Sequence, residues 1–476
     1  VRWVDQLVRD LCIALRTLRR SPGFTAAAVG VLALTIGSAA AMFTFVDAIL
    51  LRPLPYHDPD RVVMIWETHK NAPPRSSTTA PWADPRQTMV SAANLADWNR
   101  EQRVFETIEP VAFGWFNVQS TEQVMGGRAG AGFFKMLGAG AALGRTFGPG
   151  DEGQPVVVLT HGLWSRRFGA DPAIIGQSIR LSDSSSYTVI GILRRDFFFY
   201  LDDFELWVPL ELAKGGNRTR RSLLAAARLA PSISLEEAET AMDGIAAHLA
   251  QARPETNRDW GVSIIPVKEQ FTSFMGPIVL ALFAAVLILL LMGGVNALSL
   301  SLARMQARQR EMSIRMALGA SRRHMFQFLW AESLVIAACG SGIGLFLAWA
   351  AVPYLISLLP LKMPIPMPGL ATASLGWRAA LFAGALSLVI SMLIAGLPRK
   401  ETSGSGGKQM RFFHGLIAVQ TALAVLLLAG AGVTVKSLWR LFQVDQGFDR
   451  SGVLTFRTPL SRIRYPGESD RVRVYG

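Results

Sequence analysis

The chain has 476 residues, 50% of them hydrophobic and 17% charged, with a net charge of +13 and a mean hydropathy of +0.30. The apolar residues gather into long uncharged runs, which excludes an ordinary soluble globular protein and marks a membrane protein. The arginines cluster at the ends of those runs, so the positive charge reads as an orientation signal, and no nucleic-acid partner is expected.

Residues 1–22 place Val4, Leu7, Val8, Leu11, Leu15 and Leu18 on one helical face and arginines on the other. This reads as an amphipathic helix on the cytoplasmic membrane surface, or as a simple charged leader. A first spanning helix follows over 23–51. Its Ala39-x-Ala41 pattern resembles a signal cleavage site, but the apolar run is too long for a secretory segment and continues past it.

Residues 52–274 form a large soluble α/β segment. Val156–Thr160, Tyr187–Leu193, Leu206–Leu210 and Val262–Val267 are short, β-branched runs that predict strands. Ser234 and Glu237 predict a capping box, after which Leu235, Ala238, Met242, Ile245 and Leu249 keep a helical period. Both ends of the segment are tied to spanning helices. The pieces near Arg61 and Val262 are therefore expected in one subdomain, with the middle inserted.

Four more spanning helices are predicted at 275–303, 325–361, 378–398 and 412–436. Between them lie a basic stretch at 304–324, a proline-rich outer loop at 362–377 and a linker at 399–411. Arg304, Arg308, Arg310, Arg315, Arg322 and Arg323 place the stretch 304–324, with the N-terminus, in the cytoplasm. The segment 52–274 then lies outside. "YHDPDRVVMIWE" (56–67) and "QGFDRSGVLTFR" (446–457) both put Asp-Arg ahead of a strand-like run after a spanning helix. The fifth helix and residues 437–476 thus read as the start of a second, truncated copy of the unit.

No catalytic constellation is present. The histidines, His161 among them, show no metal-ligand spacing, and Cys12 and Cys339 sit in or beside apolar helices, so no disulfide, metal or cofactor is expected. "GSGGKQ" (404–409) lacks the first glycine and the Ser/Thr of a phosphate loop and reads as a flexible linker. Intramembrane polar residues are few: Asp47, Asn296, Glu332 and Gln420, with no row of acids for an ion path. This argues against a secondary carrier.

The stretch "RQREMSIRMALGASRRHMF" (308–326) is the strongest local signal. Glu311 and Arg315 are spaced as an i,i+4 pair. Met312 and Met316 share one face, while Ile314 and Leu318 share another. Gly319 suits a helix end and Ser321 the cap of the next helix. A short helix with an adaptable apolar strip and fixed charges is a docking surface for a cytoplasmic partner, or a basic loop on anionic lipid.

This stretch resembles the signature of the MacB/FtsX-type ABC transporter permeases, in which Arg-Glu-x-x-x-Arg-x-Ala-Leu-Gly-Ala follows the second membrane helix. Arg310, Glu311, Arg315, Ala317, Leu318, Gly319 and Ala320 carry the match, and Ile314 lies within it; Met316 departs from a residue that is often basic. "ALRTLRRSPGFT", "LLRPLPY", "GFFKMLGAGAALGRTF" and the block from Val156 to Leu193 are similar to the duplicated orphan branch of that family.

The resemblance implies a multipass α-helical membrane protein, a four-helix permease unit plus the start of a second, with a MacB-like extracytoplasmic domain. It implies a place in the bacterial inner membrane. It also implies no enzymatic activity of its own, ATP bound by a partner cytoplasmic ABC ATPase that docks on 310–320, and a second permease copy or homodimer. Coupling then works by mechanotransmission, for efflux or for action on an envelope protein. The alternative is a membrane-anchored envelope scaffold without energy coupling.

Overall fold

The computed structural model describes residues 13, 15–71, 86–119, 122–181, 185–199, 204–211, 217–307, 322–358, 373–395 and 406–442. They divide into two compact units, an α/β unit drawn from 52–276 and a unit of apolar helices.

Helix α1 (Pro22–Val46) opens with proline at its first position, where a missing N–H costs nothing. It closes in a π-helical turn, Asp47–Leu51, that carries the buried Asp47. The α/β unit then follows as β1 (Val62–His69), β2 (Gln87–Thr88), β3 (Val90–Ser91), α2 (Ala92–Glu101), β4 (Phe105–Val118), β5 (Glu122–Ala129), α3 (Phe133–Leu137) and β6 (Ala141–Gly144). It continues as β7 (Val156–Leu159), α4 (His161–Arg167), β8 (Ser178–Leu181), β9 (Ser185–Leu193), β10 (Phe204–Pro209), β11 (Arg221–Leu229), α5 (Leu235–Ala252) and β12 (Trp260–Pro266). Four long helices complete the described chain: α6 (Val267–Ala307), α7 (Arg322–Leu358), α8 (Trp377–Ala395) and α9 (Gly406–Phe442).

The strands form one mixed sheet in the order β12-β1-β11-β4-β5-β10-β7-β9-β6. β5 with β10 and β7 with β9 are parallel; the other neighbours are antiparallel. β1 pairs with β12 from Val63↔Pro266 to His69↔Trp260, so the two ends of the unit do meet in one subdomain. β1 is buried on both faces. Met64 and Trp66 enter one core with Phe133, Phe134 and Trp207. Val63 and Ile65 enter a second with Trp98 of α2 and Met242 of α5. That explains its unbroken apolar run. The strands of the inserted middle close a third core with Leu163 of α4. The capping box forms as expected: Ser234 Oγ accepts from Glu237 N, and Glu237 accepts from Ser234 N at 2.7 Å.

Several boundaries differ from the sequence expectation: α6 runs on to Ala307, α7 starts at Arg322 and α9 ends at Phe442, and two further starts shift more. β12 stops at Pro266, and Val267 already belongs to α6, which starts eight residues ahead of the expected 275 and carries Pro277 inside. α9 starts at Gly406, inside the expected linker 399–411 and within "GSGGKQ". A helix nucleated in an apolar run extends outward at little cost, because propagation adds a hydrogen bond for each residue it orders.

One half-buried carboxyl ties α3 to the sheet. Glu109 accepts hydrogen bonds from Thr107 Oγ1 (2.6 Å) and Gly132 N (3.2 Å). Burial raises its pKa above the usual glutamate value; the two hydrogen bonds pull it back, and the charge of Glu152 adds to the rise. The folded state therefore holds this proton more tightly than the unfolded chain. The stability it contributes is complete below the ordinary glutamate pKa and is lost as pH rises through the raised value. Glu109→Gln should raise the melting temperature of the α/β unit at neutral pH and flatten its decline above about pH 4.3. Melting curves followed by tryptophan fluorescence across that range would check this.

Candidate functional site

The predicted docking residues Arg310, Glu311, Ile314, Arg315, Ala317, Leu318, Gly319 and Ala320 lie outside the described residues. The structure does describe the two helix ends that carry them, Ala307 of α6 and Arg322 of α7, and the helices behind.

α1, α7 and α8 pack closely. The cause is small residues at the crossing, since helices in lipid associate through close packing and polar ties. Gly37 of α1 meets Gly344 of α7, and Gly340 lies against Leu32 and Ala33. Ser341 of α7 and Ser387 of α8 share a buried hydrogen bond. At one end of the bundle Arg378 Nη1 donates to Asp47 Oδ1 at 2.8 Å, and Phe43 stacks on Phe382 at 4.5 Å between ring centres.

α6 packs far less. Of its most apolar window 17% is buried, against 56% for α1 and 39% each for α7 and α8. Its contacts include Phe283 beside Phe43 and Phe382, Gly293 against Thr35, the buried Leu290 and Ala297, and the half-buried Val286, Leu287, Leu298 and Leu300. α9 buries none of its window among the described residues.

A polar tie of α6 stands at Arg304, three residues before the end of the helix at Ala307. Arg304 Nη1 lies 3.1 Å from Glu332 Oε1 of α7, with both side chains at most 10% exposed. Arg304 Nη2 donates to the Thr17 carbonyl at 3.2 Å, and the guanidinium stands 4.3 Å from the centre of the Phe24 ring. A buried pair of this kind adds little net stability, but losing one partner is costly, so it acts chiefly as a position marker. Sequence reading flagged Glu332 as an intramembrane acid and counted Arg304 only as an orientation charge. The available signal was that Glu332 is the sole charged residue between Arg323 and Lys362.

Among the described residues no cluster of three or more His, Cys, Asp or Glu could hold a metal. His161 opens α4, and its Nδ1 lies 3.3 Å from Ser165 Oγ on an exposed face.

Comparison with known proteins adds the family. Residues 25–245 match the MacB-like periplasmic core domain, and residues 277–405 match the FtsX-like permease C-terminal domain. The macrolide export ATP-binding/permease protein MacB of Burkholderia thailandensis is 29% identical over 284 residues, 56% of this chain and 42% of that protein. The probable syringafactin export ATP-binding/permease protein SyfD of Pseudomonas syringae pv. tomato is 30% identical over 234 residues, 48% of this chain and 34% of that protein. The chain thus spans less than half the length of these relatives. The periplasmic region of MacB from Actinobacillus actinomycetemcomitans covers 45% of this chain and 92% of its own, at 14% identity and a TM-score of 0.32. On the two domain matches, the chain belongs to the MacB/FtsX-type permeases, multipass helical membrane proteins that carry a MacB-like periplasmic core domain.

Proposed function

We propose that this chain is the permease part of an ABC-type export or mechanotransmission system. A cytoplasmic ATPase binds ATP and docks on Arg310–Ala320. α6 serves as the lever that carries its motion towards the MacB-like domain outside the inner membrane. The observation that supports this best is the contrast in packing. α1, α7 and α8 bury 39–56% of their most apolar windows and meet at small residues, while α6, packed on the same core, buries 17%. Of the helices in that core, the one that buries least can shift with the smallest loss of packing.

The names of the relatives, export ATP-binding/permease proteins, support the pairing with an ATPase. The arginines flanking the docking stretch support a cytoplasmic N-terminus and docking loop. The proposed division into an amphipathic segment, five spanning helices and two soluble stretches follows from the same alternation.

The test is copurification from membranes. The intact chain should bring down an ABC ATPase, and Glu311→Lys or Gly319→Val should each reduce its recovery about tenfold or more, the weight of one lost charge-assisted contact or one broken turn. ATPase recovery that survives both changes would refute the docking assignment and favour an envelope scaffold without energy coupling.

A further inference from the structure

We infer that Arg304 is the catch that sets the rest position of α6, and that the segment Leu15–Arg20, ahead of α1, is held by the same catch; the role as a catch rests on the lever reading above. The lipid-facing surface of α6 is built from residues such as Leu280, Leu282, Leu289 and Leu291, all exposed. In a bilayer such side chains meet lipid as readily as another helix, so they impose little register. Arg304 is different. Its guanidinium presents donors in a rigid fork, which can hold a carboxylate and a carbonyl together. Here it reaches Glu332 on α7, the Thr17 carbonyl and the face of Phe24.

The Thr17 contact matters because the surrounding turn is itself well tied. Leu18 is buried in the helix bundle, at 5% exposure. Its carbonyl accepts from Ser21 N at 3.1 Å and from Thr25 Oγ1 at 2.9 Å. Arg16, Arg19 and Arg20 remain exposed around it. A shift of α6 at this end must therefore either drag the segment along or withdraw the guanidinium from a buried acid. The second course is steep, since it strands a charge. The outcome is two discrete positions and no gradual slide. The segment ahead of α1 reports which position α6 holds.

The experiment uses the full chain in lipid nanodiscs, where trypsin reaches both faces. One readout is the rate of cutting after Arg16 and Arg19, by mass spectrometry. The other is the distance between spin labels at Ala303→Cys and Phe326→Cys, with Cys12 and Cys339 replaced by serine. Arg304→Met should raise the cutting rate about tenfold, the weight of one charge-assisted hydrogen bond, and broaden the distance distribution. The charge swap Arg304→Glu with Glu332→Arg should narrow the distance again. It should leave cutting fast, because a carboxylate at 304 cannot donate to the Thr17 carbonyl. If Arg304→Met does not fold, the apolar pair Arg304→Met with Glu332→Leu gives the same two readouts in a bundle of near-normal stability. Unchanged cutting in the Met variants, or protection regained in the swap, overturns the inference. Neither readout involves an ATPase, so a failed pull-down and a failed catch are separate results.

Discussion

Gly344→Leu should split the α1–α7 crossing and leave a permease unit that melts well below the wild type. A Cβ at Gly344 would stand 2.7 Å from the Ala33 carbonyl oxygen and 2.9 Å from Gly37 N; one at Gly37 would stand 2.8 Å from the Gly344 oxygen. Those are backbone atoms, so no rotamer change makes room and the helices must move apart. Separation also loosens Leu32, Ile36 and Ala337, which are fully buried at this interface. Overpacking of this kind costs about 3 kcal/mol or more, which corresponds to a fall of roughly 5–10 °C in melting temperature. Gly342, two residues earlier on the same helix, has open space beside it, so Gly342→Leu serves as the control. Heating the full chain in detergent and following the monodisperse peak by size exclusion measures both. Equal melting of the two variants would remove the crossing as the anchor of the bundle.

The second large effect is expected in the α/β unit, at Glu67. This carboxylate on β1 is 1% exposed. It accepts from Ser91 N at 3.0 Å and from Asn94 Nδ2 at 2.9 Å, and it pairs with Arg221 of β11. The Arg221 guanidinium lies 3.4 Å from the centre of the Trp260 ring, and its Nη2 donates to the Thr256 carbonyl. One acid thus joins β1, the start of α2, β11 and the first residue of β12. Glu67→Ala strands a cation whose side chain is only 10% exposed, at a cost of about 3–5 kcal/mol. The apolar double variant Glu67→Leu with Arg221→Met should recover most of that loss, since removing both charges also removes their desolvation. Urea unfolding of the α/β unit within the full chain, read by tryptophan fluorescence, compares the three proteins. A single variant as stable as the wild type, or a double variant as weak as the single, would contradict this account.

The two units were legible to different degrees. The spanning helices announce themselves, because a run of about 20 apolar residues has no other economical home. Five such helices are present among the described residues. Strands with β-branched runs, such as β7 and β9, were also readable, as was the capping box at Ser234. β11 was not. "RSLLAAARL" has the composition of a helix, yet it lies as a central strand between β1 and β4, with Ala225, Ala226 and Ala227 completely buried. Its small side chains let the cores on both faces close in, and strand pairing outweighs a propensity of a few tenths of a kcal/mol per residue. β5, rich in polar and glycine residues, was also missed: its partners β4 and β10, not its own pattern, make it a strand.

By itself the sequence determined the membrane class, the spanning helices and the inserted α/β segment, because each is written within one window of neighbouring residues. Only the tertiary structure decided which helices pack most closely, and that Arg304 reaches back 287 positions to Thr17 as well as across to Glu332. Contacts between distant segments depend on close backbone approach and on burial, and neither leaves a periodic trace along the chain.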